Sequence, residues 1–221
     1  MLTLSNKPVI AKGKRQHIYE HPNEPSLLVK LPQPGTYDAH GQLPDVSWIE
    51  RRLRRATMYN GFLREFREYL ELKARKQEPG ALLPICEVHG TMPTDLGLGL
   101  VYERISDPDG NLSPTLRDMI RAGRLNTLHL KLLNDFFDAL MENHVVISNK
   151  NLKNIVFQTQ GDGLGRFVWI DSFGCKQLVP LRKWWKWLNT RGLNKVRDHV
   201  VGQAEAALAH SNQASGVSHF V

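Results

Sequence analysis

An asparagine and an aspartate, each beside a short apolar run, mark the stretch of this sequence best suited to chemistry. Residues 144–157 read HVVISNKNLKNIVF, and residues 166–174 read RFVWIDSFG. Asn154 leads into one apolar run and Asp171 follows the other, with the turn Gly161-Asp162-Gly163 between them. Two short runs separated by such a turn predict a hairpin. An amide and a carboxylate on adjacent strand ends offer oxygen to one hard cation, the ligand type that Mg²⁺ takes when it also meets phosphate. The competing reading is an ordinary hairpin with Asp171 as a turn residue. A lone D-x-x-G is more often such a turn, but here it follows an Asn-led strand, and both come after a long helical pattern.

Two further residues suit phosphate chemistry. Lys30 lies in the apolar run Leu28-Val29-Lys30-Leu31, and Glu65 lies on the amphipathic pattern that follows. Protein kinases, whose catalytic core residues 144–174 resemble, pair such a strand lysine with a helical glutamate, and that resemblance implies the same pairing of Lys30 with Glu65. Glu68 is the alternative partner; Glu65 is preferred because it sits earlier in the helix, one position before Phe66. Taken singly, a strand lysine faces solvent and a glutamate among arginines makes a weak surface pair.

The segment 144–174 resembles the catalytic core of protein kinases, where an asparagine opens a short strand and the next strand ends in Asp-Phe-Gly. More narrowly, the chain resembles the YrbL family, proteins named for the PhoP regulatory network. The resemblance runs over roughly residues 8–200. It rests on Tyr19-Glu20-His21-Pro22, the stretch from Gly90-Thr91 to Thr94-Asp95, Gly97 to Tyr102, Asp107 to Gly110, Leu152 to Ile155, Asp171 with Gly174, and a tryptophan-rich segment after them. It implies a two-lobed, protein-kinase-like α+β fold in a bacterial cytosolic protein, with a small β-rich lobe over residues 1–106 and a compact helical lobe over 107–221. It implies ATP and Mg²⁺ as ligands, with Gly13, Lys30, Glu65 and Glu103 around the nucleotide and Asn154 and Asp171 on the metal.

The pattern departs from kinases in the catalytic loop. The position of the catalytic aspartate, five residues before Asn154, holds Asn149, and no carboxylate occurs between Glu142 and Asp162. An amide takes no proton, and a general base is worth roughly 10²–10⁴-fold in rate. Asn151 stands where kinases carry a lysine, leaving Lys150 and Lys153 to meet phosphate charge. The glycine loop is reduced to Gly13 in Ala11-Lys12-Gly13-Lys14-Arg15-Gln16. Residues 175–221 are too few for the helices that dock a peptide. The sequence therefore predicts either a phosphotransferase acting on a small molecule, lipid or glycan, or a pseudokinase serving as a regulatory binding module in a bacterial stress or envelope-response network.

The elements that position these residues follow from periodicity. Strands are predicted over 8–12, 17–20 and 26–31, then an irregular insertion over 32–45 with its prolines and glycines. A helix is predicted from about Val46 to Lys76, with Phe62, Phe66, Tyr69 and Leu72 on one face, ended by Pro79-Gly80. A second hairpin spans 83–104, and Asp107-Pro108-Asp109-Gly110 marks a hinge between the lobes. Ser113-Pro114 reads as the cap of a helix. A longer helix runs from Asn126 to Asn143, with Leu125, Leu128, Leu132, Phe136 and Leu140 inward. Helices are expected around 180–190 and near 192–210.

Composition narrows the classes. The 221 residues carry a net charge of +7, with 41% hydrophobic residues and two cysteines, Cys86 and Cys175. That charge favours anionic partners, and two cysteines make no disulfide framework. No apolar stretch is long enough to span a membrane, and the start MLTLSNKPVIAKGKR lacks the apolar core of a signal peptide, so a cytoplasmic protein is expected. Basic residues cluster at Arg51, Arg52, Arg54 and Arg55 and again from Arg182 to Arg197. Trp184, Trp185 and Trp187 stand beside Lys183 and Lys186. Such tryptophans pack a helix onto the core, stack on nucleic acid, or meet a membrane surface. Core packing is the expectation, with nucleic acid disfavoured and peripheral membrane contact left open. No histidine pair of metal-ligand spacing falls on a predicted helix, and no G-x-S-x-G motif occurs.

Overall fold

Alternation of apolar and polar residues over 16–32 and 88–103 builds one antiparallel sheet. The computed structural model describes residues 1–13, 15–38, 41, 58–75, 82–147, 149–160, 164–175 and 181–216, with side chains to residue 211. The sheet comprises β1 (Ala11–Lys12), β2 (Gln16–Glu20), β3 (Leu27–Pro32), β4 (Val88–Thr94) and β5 (Gly97–Glu103), in the order β1-β2-β3-β5-β4. Its register pairs Ile18 with Lys30 and Lys30 with Leu100, while Tyr19 pairs with Val29 and Val29 with Val101. Because side chains alternate with period two, Lys30 and Val29 face opposite sides. On the Val29 side, Leu2, Leu4, Tyr19, Val29 and Leu31 form a core joined by Val9 and Met92. The N-terminal segment is held there by the Asp95 carboxylate, which accepts from Leu4 N at 2.7 Å and Ser5 N at 3.1 Å. Hydrogen bonds from the Ser5 side chain and the Leu4 backbone hold this carboxyl below its ordinary range.

Helix α1 (Asn60–Arg75) buries Phe62, Glu65, Glu68, Tyr69 and Leu72. The apolar stripe expected from the sequence is present, with two glutamates buried within it. Met58 and Tyr59, within the helix predicted from Val46, form a turn ahead of α1, and residues 46–57 and 76 of that prediction, the arginine cluster 51–55, Lys14, Pro79-Gly80 and Gly161-Asp162-Gly163 lie outside the described residues.

The chain divides into two compact units, Met1–Leu70 with Glu87–Arg104, and Glu71–Cys86 with Ile105–Val221. Segment 71–86 falls in the second unit although it precedes Glu87–Arg104 in the chain. The reason is β-pairing to Trp169: its N–H donates to Pro84 O and its carbonyl accepts from Cys86 N, both at 2.9 Å. The expected second hairpin accordingly begins at Val88, since Ile85 and Cys86 are taken by Trp169. Asp107 to Gly110 forms a closed turn tied into the second unit, and Asp107 Oδ1 accepts from Ser113 Oγ and Thr159 N.

The second unit contains α2 (Leu116–Arg121), α3 (Thr127–Glu142), a 3₁₀ turn (Leu152–Asn154), the antiparallel pair β6 (Ile155–Thr159) and β7 (Gly165–Trp169), α4 (Leu181–Trp184) and α5 (Lys186–Gly216). The cap of α2 is Thr115, two residues beyond the expected Ser113, in a capping box with Asp118. The Pro114 carbonyl is already used by Phe157 N and Thr115 bridges Val156, so the helix starts only after that contact. On α3 the inward stripe is Leu133, Phe136, Phe137 and Leu140; Leu128 is exposed, so the stripe sits partly round the helix from the one expected. The two helices expected after residue 180 are instead a single turn and one long helix. Among the described residues no helix is long and apolar enough to cross a membrane.

His129 closes the capping box of α3: its Nδ1 accepts from Asn126 N at 3.2 Å, and its ring meets Phe157 edge-on at 4.7 Å. Burial holds its pKa below 6.5. The neutral ring is therefore the folded form, and its contribution is complete above pH 6.5 and lost as pH falls through the folded value. The urea midpoint is expected to drop between about pH 7.5 and about pH 5. His129→Gln, which keeps a capping acceptor without titrating there, is expected to flatten that drop.

Candidate functional site

The Lys30 side of the sheet carries charge where the other side carries core. Lys30 Nζ donates to Glu65 Oε2 at 3.1 Å, with side-chain exposures of 4% and 1%. Tyr102, on β5 diagonally across from Lys30, donates its hydroxyl to the same oxygen. The ammonium also sits 4.3 Å from the centre of the Tyr102 ring, a favourable cation–π geometry. Arg64 lies 3.6 Å from Glu65 Oε1. Sequence reasoning named Lys30 and preferred Glu65 over Glu68; the structure joins those two. It missed Tyr102, although period-two register put that residue on the face of Lys30.

Burying such a pair costs several kcal/mol per ion in lost hydration, and an apolar pair of equal volume is often as stable. The arrangement is therefore poor value as a stability device. It fixes an ammonium at one place on the sheet.

In the second unit, Asn154 is buried and its Nδ2 donates to the Asp171 carbonyl at 3.2 Å. The same carbonyl accepts from the Trp169 indole at 2.6 Å. Ile170 N donates to Asn154 O at 2.9 Å, which locks the start of β6 to the end of β7. The sequence-predicted pair is thus brought together through backbone and amide. With its NH₂ engaged, the Asn154 amide offers its oxygen at the other terminus, and the half-buried Asp171 carboxylate accepts from Ser172 Oγ at 3.2 Å.

Two hard oxygen donors fit a Mg²⁺ whose shell is completed by phosphates and water. Among the described residues no group of three or more His, Cys, Asp or Glu would hold a metal by itself.

The turn after Asp171 is tightly shaped. Ser172 has φ +60° and Gly174 φ +87°. A left-handed serine costs roughly 1 kcal/mol or more, and Gly174 takes its conformation without that cost. Phe173 is fully buried and bridges Ile147, and Gly174 N donates to Val146 O at 2.6 Å. Arg182 fastens the same segment: its guanidinium donates to Ile147 O and Asn189 Oδ1, and Asn189 Nδ2 donates to Val145 O. Arg182 looked like part of a basic surface cluster in the sequence; nothing local signalled that it would brace backbone.

Asn149 Oδ1 accepts from Asn151 N at 2.9 Å, and Asn151 Oδ1 accepts from Lys153 N at 3.1 Å. These asparagines shape the loop by successive side-chain turns. The Lys153 side chain is exposed. Gly13 closes the β1–β2 turn through a bond from its N to Gln16 O, and the nearest atom to a Cβ placed there is 3.5 Å away. Glu103 Oε2 accepts from Glu87 N at 3.1 Å, so its carboxylate is engaged with backbone.

Trp169→Phe keeps most of the buried ring and removes one donor to the Asp171 carbonyl. It is expected to lower stability by about 1–2 kcal/mol in urea unfolding. Glu65→Ala, which leaves Lys30 buried without that carboxylate, is expected to cost about 3–5 kcal/mol by the same measurement.

Known proteins give this chain a family. YrbL proteins of Escherichia coli (strain K12) and Shigella flexneri are each 26% identical to it over 212 residues, covering 95% of this chain and 90% of theirs. The kinase domain of PknI from Mycobacterium tuberculosis is a structural neighbour with TM-score 0.42 and 17% identity, covering 76% of this chain; the chain spans 58% of that domain. The family described as PhoP regulatory network protein YrbL matches residues 2–205, and the chain belongs to that family.

Proposed function

We propose that this chain is a kinase-like protein that binds Mg-ATP in the cytoplasm and passes phosphate to a small-molecule, lipid or glycan acceptor. The observation that carries the reading is the buried Lys30–Glu65 pair. Glu65 holds the ammonium in place, and Lys30 then offsets phosphate charge. Asn154 and Asp171 would hold magnesium through their oxygens, and the ion would supply positive charge against the phosphates. Lys153 is exposed and adjacent to Asn154, so its positive charge supports phosphate binding there. Between Gly174 and the start of α4 at Leu181 only residues 175–180 intervene. That is too short for a loop that docks a peptide, which favours a compact acceptor.

A second reading has its own observation. Asn149, at the position of the kinase general base, spends its amide oxygen on Asn151 N. A loop built on that contact positions backbone and takes no proton. On this reading the chain binds nucleotide without efficient transfer and serves as a regulatory module in a bacterial envelope-response network, in keeping with the description of its family.

Thermal unfolding with Mg-ATP tests what the readings share. Nucleotide at about 100 times its dissociation constant stabilises a fold by about 2.7 kcal/mol, so a clear rise in Tm is expected. Asp171→Ala is expected to abolish the magnesium-dependent part of the rise. A wild-type chain that shows no rise, or an Asp171→Ala chain that shows the same one, would overturn both. ADP formation on candidate acceptors then separates them: turnover lost in Asp171→Ala supports the first, and binding without turnover supports the second.

A further inference from the structure

The tryptophans after residue 180 do not pack into the core. Trp184, Trp185 and Trp187 are 64%, 48% and 62% exposed, and Leu181 before them is exposed as well, whereas Trp169 is fully buried. The packing role expected from the sequence therefore belongs to other residues. Along α5, Asn189, Leu193, Val196, Val200 and Ala204 are buried. They recur at helical spacing and form one inward stripe. The opposite side carries Trp187, Thr190, Arg191, Asn194 and Lys195, which with Lys186 line a shallow concavity.

The charge on that side is unspent. Lys186, Arg191 and Lys195 make no ion pair with any described residue, and Asp198 is the one acid in the concavity. The cations just before them are engaged elsewhere: Lys183 Nζ donates to Glu71 at 2.8 Å and Arg182 braces the 145–147 backbone. α4 and the start of α5 thus expose three indoles and a leucine, and Trp187 shares its concavity with uncompensated positive charge, on a chain of net charge +7.

We propose that this face docks on an anionic lipid bilayer surface. An indole has an apolar body and one N–H, which suits the headgroup level of a membrane. An amphipathic helix with lysine and arginine beside exposed aromatic residues lies in that plane, its affinity set by buried apolar area and attraction to anionic lipid. Charge complementarity selects anionic over neutral lipid. The exposed Leu181 argues for lipid against nucleic acid, because an aliphatic side chain gives a base nothing to stack on. The proposal is independent of nucleotide binding, since none of these side chains belongs to the candidate site.

Sedimentation of the full chain with vesicles tests it. The chain is expected to sediment with phosphatidylcholine vesicles containing phosphatidylglycerol, to be released by salt, and to bind pure phosphatidylcholine weakly. Indole emission is expected to shift to the blue on binding. Trp184→Ser with Trp187→Ser is expected to weaken partition more than about tenfold. Replacing Lys186, Arg191 and Lys195 by serine is expected to weaken it about fivefold for each cation removed. These are surface substitutions, so unchanged circular dichroism is expected; Trp187→Ser alone repeats the test with the smallest perturbation. No sedimentation of the wild-type chain with anionic vesicles, or equal binding by the tryptophan variant, overturns the proposal. So does salt-dependent retention on single-stranded RNA without vesicle binding, which assigns the face to nucleic acid.

Discussion

One backbone oxygen, the carbonyl of Asp171, accepts from both the Trp169 indole and the Asn154 amide, and the arrangement of the second unit converges on it. A buried indole N–H must find an acceptor or cost free energy. Trp169 is held by strand pairing with Pro84 and Cys86 and by stacking on Phe136 at 6.4 Å. Its N–H then fixes the carbonyl of the residue whose carboxylate is the candidate metal ligand. A packing residue thereby sets the geometry of a chemical one. The turn that follows carries the strain of Ser172, and Phe173, anchored in the core, keeps that turn from relaxing.

The first unit solves a different problem with the same economy. A five-stranded sheet has two faces, and here each has one task. The Val29 face closes over Leu2 and Leu4 and makes the core, while the Lys30 face holds a cation, a carboxylate and a phenol in one bonded group. A buried ion pair contributes little net stability, so the hydrophobic face must stabilise the sheet on which the charged face is displayed.

Asparagine recurs in the loop that joins α3 to β6, and each copy does local work. Asn149 and Asn151 accept backbone N–H groups two residues on, and Asn154 reaches the Asp171 carbonyl. An amide serves this better than a carboxylate where no charge is wanted, because it donates and accepts at once. The loop is built to position backbone rather than to move protons.

Much of this was legible in the sequence because it depends on local period and order. The strands and the two hairpins follow from apolar spacing and turn residues, and the Asn154–Asp171 relation and the pairing of Lys30 with a helical glutamate were what the resemblance to kinases implied. What the sequence could not decide were contacts made across long separations. The departure of Ile85 and Cys86 from the second hairpin depends on Trp169, more than eighty positions away. The cap of α2 moved to Thr115 because Pro114 meets Phe157. Arg182 and Trp187 lie in one basic, aromatic stretch, yet one braces buried backbone and the other faces solvent. Residue type and spacing determined which groups can bind phosphate and metal, since those are properties of the side chains themselves. Only the tertiary structure decided which of them are buried, paired or left exposed, because burial is set by neighbours that the chain brings from far away.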